Sequence, residues 1–287
     1  MSRCLVSILI GLAATLPSVA AALAAPQTVY FRSGDGRTAL TGYLFQPSKA
    51  GPWPAIVMLH GRGGPYSSNV NEDCTFVGAG TASPCNANTL SKRHAMWGEY
   101  WSARGYLALL PDSFGPRGKA YGFGRFTHGD PDRADVNETD VRPLDAEGAL
   151  AFLRGRRDVV AGQIYLQGWS NGGSTALNVM IRQGAKEGFR AALAFYPGCG
   201  LLALLDDKVT TTAPIAMFLA TADEEVSPLK CQQVVNRSIG TTCAVSLYIG
   251  ATHDFDDPGD KRQSVPANVT AKADAMRKAV GLVEGMK

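Results

Sequence analysis

The stretch Gly168-Trp169-Ser170-Asn171-Gly172-Gly173 constrains this chain more than any other. A short apolar run, Ile164-Tyr165-Leu166-Gln167, leads straight into it, and residues 173–183 leave it with helical spacing. Small residues on both sides of a serine let a strand turn sharply into a helix. The turn holds the hydroxyl outward at the helix N-terminus. Free amides and the helix dipole favour negative charge there. This context reads as a nucleophilic serine; the competing reading is a Gly-rich packing turn.

The rest of the chain supplies the sheet such a turn needs. Apolar runs at 38–45, 54–60, 106–111, 163–167, 191–196, 215–221 and 244–249 read as strands. Helical spacing appears at 96–104, 141–154, 173–183, 227–238 and 268–284. In 141–154 the apolar positions are Val141, Leu144, Ala149 and Phe152. Strands alternating with helices predict an α/β fold, with a mainly parallel sheet covered by helices on both faces. The run 54–60 does not alternate, as in a strand buried on both sides. No repeat or linker divides residues 25–287, which read as one domain. Two stretches, 63–92 and 113–140, lack regular pattern. Both follow strand C-termini, the edge where such sheets bind ligands.

Residues 1–24 read as a secretory signal peptide. A basic start precedes an apolar run from Leu5 to Leu16, and Ala22-Leu23-Ala24 is a small-x-small site with cleavage after Ala24. The alternative, an uncleaved anchor, meets a run short of the ~20 residues that span a bilayer. The expected location is secreted or periplasmic, with no membrane partner after cleavage. Disulfides are expected in such a compartment. Cys74 with Cys85 closes a short loop and is the favoured pair. The second is either Cys199 with Cys231 or Cys231 with Cys243. With 28 Lys and Arg against 25 Asp and Glu, and no basic run, the charge argues against a nucleic-acid partner.

A serine hydroxyl needs a base, and the base needs an orienting acid, in the chain order Ser, acid, His. Of the four histidines His60, His94, His128 and His253, only His253 follows Ser170. Asp223 is the first acid beyond the strand at 215–221. Glu224 and Glu225 read as solvated neighbours or, less favoured, as the acid itself. Asp206 and Asp207 precede that strand. Asp254, Asp256, Asp257 and Asp260 read as a solvated acidic loop, with a calcium site as the weaker alternative. The turn His60-Gly61-Arg62-Gly63-Gly64 offers the Arg62 N–H opposite the Asn171 N–H as an oxyanion hole, with His60 holding the turn. Trp169, Tyr66, Phe114 and Tyr121 are candidates for pocket walls or for packed core. No cysteine or histidine spacing suggests zinc, and no metal or cofactor is expected.

The stretches 60–64, 109–118, 168–173, 195–200, 221–228 and 250–256 resemble the dienelactone hydrolase family of the α/β-hydrolase superfamily. The resemblance runs from about Pro26 to Glu284. It implies an α/β-hydrolase fold and hydrolysis of small-molecule carboxylic esters or lactones. It carries the nucleophile to Ser170, the acid to Asp223, the base to His253 and the oxyanion amides to Arg62 and Asn171. Founding members use a cysteine nucleophile, and a glutamate stands where this chain has Gly61. Both departures point to a serine esterase acting through an acyl-enzyme. A serine peptidase, a polyester-degrading esterase and a non-catalytic binding protein are the other readings.

Overall fold

The computed structural model describes residues 25–201, 205, 208–238 and 240–286. The expected signal peptide, and Asp206 and Asp207, lie outside them. Numbered in chain order, the strands are β1 (Gln27–Arg32), β2 (Ala39–Phe45), β3 (Trp53–Leu59), β4 (Leu107–Asp112), β5 (Val159–Trp169), β6 (Ala192–Phe195), β7 (Ile215–Ala220) and β8 (Cys243–Tyr248). The helices are α1 (Lys92–Ser102), α2 (Arg142–Arg154), α3 (Asn171–Gln183), α4 (Pro228–Arg237), α5 (Asp260–Gln263) and α6 (Pro266–Glu284). The strands form one sheet in the order β1-β2-β4-β3-β5-β6-β7-β8. Only β2 runs against the others. β1 had no counterpart in the sequence reading. It is an edge strand exposed at most positions, so it carries no continuous apolar signal.

Side chains of the central strands alternate between two cores, as a pleated sheet requires. Val57, Leu59, Leu109, Leu166, Ala194 and Met217 pack on the face covered by α2, α3 and α4. Ile56, Met58, Leu110, Tyr165, Phe195 and Phe218 pack on the face covered by α1 and α6. Both faces are apolar, which explains the unbroken hydrophobic run of β3. The chain passes from β3 through α1 to β4, then crosses back over β3 to β5. A reversal of winding of this kind opens a crevice at the strand C-termini.

The helix α5 had no counterpart in the sequence reading, α1 starts earlier than read, and α2 differs in the face it buries. On α2 the buried row is Arg142, Asp145, Ala146, Ala149, Leu150 and Leu153, while Leu144 and Phe152 are only half-buried. Two polar residues thus occupy the inward face of its first turns. Asp145 is held by both terminal nitrogens of Arg117, at 2.8 and 2.9 Å.

The long loops are tied rather than free. Cys74 and Cys85 form a disulfide inside the first. Val77 N donates to Gly115 O and Ala120 N to Thr75 O, joining the first loop to the second. Tyr66 Oη donates to Asp112 Oδ2 at 2.7 Å. The second disulfide is Cys199–Cys231, and Cys243 is the free thiol among the described residues. The bridges close loops of 11 and 32 residues. Loops of that size are worth about 3 kcal/mol each through the unfolded chain. Reduction should therefore lower the melting temperature by roughly 10 °C or more, at 2–4 °C per kcal/mol. Calorimetry with and without dithiothreitol checks this; an unchanged melting temperature would mean the bridges add no stability.

Candidate active site

The turn after β5 is as tight as its glycines require. A Cβ on Gly168 would lie 2.1 Å from Gly172 O, and one on Gly172 would lie 2.0 Å from Leu59 O. Only glycine lets α3 start this close to β5 and β3. Ser170 sits between them at φ 52°, a left-handed conformation costly for a residue with a Cβ. Its strain is held by the sheet below and the helix it caps.

Three other strand ends bring side chains to this serine. Beyond β8, His253 Nε2 lies 3.0 Å from Ser170 Oγ. Beyond β7, Asp223 Oδ2 lies 2.8 Å from His253 Nδ1. The other Asp223 oxygen accepts from the main-chain N–H groups of Glu225 and Val226, both at 2.8 Å. That fixes the carboxylate in its own loop. His253 is buried, and burial opposes its charged form. The Asp223 hydrogen bond and the carboxylates of Asp254 and Glu225 outweigh this and raise its pKa above the usual 6.5.

The turn after β3 faces the same point. A Cβ on Gly61 would lie 3.6 Å from Ser170 Cβ. Arg62 O accepts from Phe123 N at 2.9 Å, and the Arg62 side chain reaches Phe123 O and both oxygens of Glu225. Its own N–H has no acceptor among the described residues. The Asn171 N–H opens α3, where a helix has no internal acceptor to offer. His60 holds the turn: Nδ1–H donates to Gly61 O, and Nε2 accepts from Ser113 N.

The five candidates Ser170, Asp223, His253, Arg62 and Asn171 therefore meet at the C-terminal edge of the sheet. The family model for dienelactone hydrolases matches residues 91–286. The chain belongs to the dienelactone hydrolase family. It is thus a hydrolase acting on esters, and its mostly parallel sheet with flanking helices is the family's α/β-hydrolase fold. Known folds agree. A Klebsiella pneumoniae protein assigned as a dienelactone hydrolase shares 15% identity over 90% of this chain and 99% of its own, with a TM-score of 0.64. A dienelactone hydrolase-like promiscuous phosphotriesterase from metagenomic libraries shares 19% over 92% and 99%, at 0.63. Esterase 2 of Thermogutta terrifontis shares 17% over 92% and 96%, at 0.60. No curated protein sequence matches.

Three parts of this family member's site differ from the sequence reading. Glu225 is not solvated: its side chain is 7% exposed, pairs with Arg62 and Arg125, and comes within 3.7 Å of His253 Nε2. Glu224 is exposed, as read, but accepts the main-chain N–H of His253 at 3.0 Å and pairs with Arg262. In the acidic loop Asp260 is exposed as read, but its neighbours are not free in solvent. Asp256 is fully buried and accepts from Trp97 Nε1 at 2.7 Å, Trp169 Nε1 at 2.8 Å and the Tyr196 hydroxyl. Asp254 and Asp257 pair with Arg93. Glu225, His253 and Asp254 lie close enough to suggest a metal site, but each carboxylate already faces a guanidinium. Trp169 and Phe114 are core residues, Tyr66 lines the groove beside Ser170, and Phe123 and Phe126 line its surroundings instead of Tyr121.

Arg142 escaped the sequence reading altogether. It is fully buried, donates to His60 O at 2.7 Å and to Asn171 Oδ1, and so ties the turn after β3 to the start of α3. No pattern marks it, because the apolar row Val141, Leu144, Ala149 and Phe152 leaves position 142 out. Asp256 had one indirect signal. Buried indole N–H groups seek acceptors, and Trp97 and Trp169 lie in segments read as structured.

Proposed function

We propose that this chain is an exported serine hydrolase that cleaves carboxylic esters or lactones through Ser170, His253 and Asp223. The observation that carries the reading is the unbroken chain of contacts from Ser170 Oγ through His253 to Asp223, at 3.0 and 2.8 Å. His253 Nε2 takes the Ser170 proton as Oγ attacks the ester carbonyl. The carbonyl oxygen becomes an oxyanion held by the Arg62 and Asn171 amides. Asp223 keeps Nδ1 protonated and stabilises the imidazolium. The imidazolium gives its proton to the leaving alcohol. Water then attacks the acyl-enzyme with His253 as base, and Ser170 is regenerated. The chemistry of these residues needs no metal or cofactor.

Export rests on the signal-like residues 1–24 and the two disulfides. The expected mature N-terminus is Ala25.

A fluorophosphonate probe tests the central assignment. Peptide mapping should find one adduct, on Ser170; folded protein that stays unlabelled would sink it. The pH profile gives a second test. Catalysis needs neutral His253, whose pKa is raised. kcat/KM should therefore climb with pH through a midpoint above 6.5. Glu225→Gln removes a negative charge that favours imidazolium, so its midpoint should move down and activity extend to lower pH. An upward move would contradict the proposed electrostatics.

A further inference from the structure

The space around Ser170 is divided unequally. On one side lies a pocket of about 20 Å³, walled by Phe126, Val226, Ser174 and Gly198 and ringed by the polar side chains of His128, Arg133 and Glu138. Little room is left there for a long acyl chain. On the other side lies a groove of about 360 Å³, bordered by His253.

Chemistry decides which side takes which half of an ester. The imidazolium must reach the leaving oxygen to protonate it, so the alcohol occupies the side His253 faces. His253 borders the groove and not the small pocket. The acyl group is left with the small pocket.

The groove is polar. Tyr66, Ser68, Asn71, Ser91 and Asp257 line it, and Phe123 is its one purely hydrocarbon side chain among the described residues. The charged side chains of Arg62, Arg93, Glu225 and Asp254 complete its polar lining. An apolar alcohol would strip water from these groups and return no hydrogen bonds. A hydroxyl-bearing alcohol would satisfy them.

We propose that the preferred substrates are acetyl or comparably short acyl esters of hydroxyl-rich alcohols, the chemistry of O-acetylated carbohydrates. This rests on the Ser170 mechanism above. The reaction adds water across one bond: the acyl–oxygen bond breaks, acetate leaves with the water oxygen, and the alcohol keeps its own oxygen.

The test measures kcat/KM on the full mature chain. p-Nitrophenyl acetate should exceed the octanoate by about 100-fold, since even one ill-fitting methylene costs roughly 10-fold or more. Methyl 6-O-acetyl-glucoside should exceed cyclohexylmethyl acetate, of similar size but without hydroxyls, by about 10-fold, a gain of one or two hydrogen bonds. Octanoate equal to acetate, or cyclohexylmethyl acetate the better substrate, overturns the proposal while leaving the serine mechanism standing. No turnover of any ester, with no phosphonate labelling, defeats the mechanism and the proposal together. Phe126 is 75% exposed, so Phe126→Ala should fold normally. It should raise the butyrate-to-acetate ratio several-fold; an unchanged ratio overturns the assignment of the acyl side.

Discussion

Ser170→Ala should reduce kcat for ester hydrolysis by about ten-thousand- to a million-fold, the scale of triad deletions. The substitution removes one oxygen atom. Alanine keeps the Cβ, so the left-handed backbone at φ 52° is neither relieved nor worsened. The buried glycine contacts at Gly168 and Gly172 are untouched. The melting temperature should therefore stay close to that of the wild type. Residual activity above the uncatalysed rate should persist, because the Arg62 and Asn171 amides still hold an oxyanion. His253→Ala alone, and the Ser170→Ala plus His253→Ala double variant, should show losses like that of Ser170→Ala, since the groups act as one unit. Turnover of p-nitrophenyl acetate and phosphonate labelling give the readings. Wild-type activity in folded Ser170→Ala would end the assignment.

Asp256→Ala should be the most damaging single change outside those residues. Its carboxylate, fully buried, satisfies two indole N–H groups and one phenol, and Arg93 Nε lies 3.7 Å away. Removing it leaves buried donors without an acceptor, at about 1–3 kcal/mol each, and a cavity besides. A total near 4 kcal/mol would lower the melting temperature by roughly 10 °C. The activity effect follows from what the three donors touch. Trp169 precedes Ser170 in the chain, and the Tyr196 ring packs against the His253 ring at 4.7 Å between centroids. Asp256→Asn, of the same shape, keeps one accepting oxygen and should fold. It should lose about 100-fold in kcat with little change in KM, as a displacement of about 1 Å between reacting groups would. Calorimetry and steady-state kinetics separate the two effects. An Asp256→Asn enzyme with normal kcat would confine Asp256 to a structural role.

The contrast between these two residues shows what could be read from the chain. Ser170 was legible because its neighbours are constrained locally. The glycines, the preceding strand and the following helix are contiguous, and each acts on the next few residues. His253 was legible by scarcity, as the only histidine after the serine. Asp223 followed from its place just past a strand, since strand ends mark the binding edge. Asp256 and Glu225 looked like solvated acids because sequence records composition and not surroundings. Each is buried by partners far along the chain: Trp97 for Asp256, Arg62 for Glu225. Arg142 was hidden for a related reason. Its partners lie on β3's turn and at the start of α3, and only the crossover of α2 brings them together.

The amino-acid sequence by itself determined the parallel α/β layering, through apolar runs and helical spacing, and the sharp strand-to-helix turn at Ser170, through glycines that alone permit its backbone. It also narrowed the second cysteine pair to two choices. Tertiary structure decided that pair as Cys199–Cys231, chose which face of α2 turns inward, and gave the site its buried carboxylates and unequal sides. Those outcomes depend on which distant segments meet. Contacts between residues far apart in sequence arise only when the whole sheet is assembled, so no local pattern encodes them.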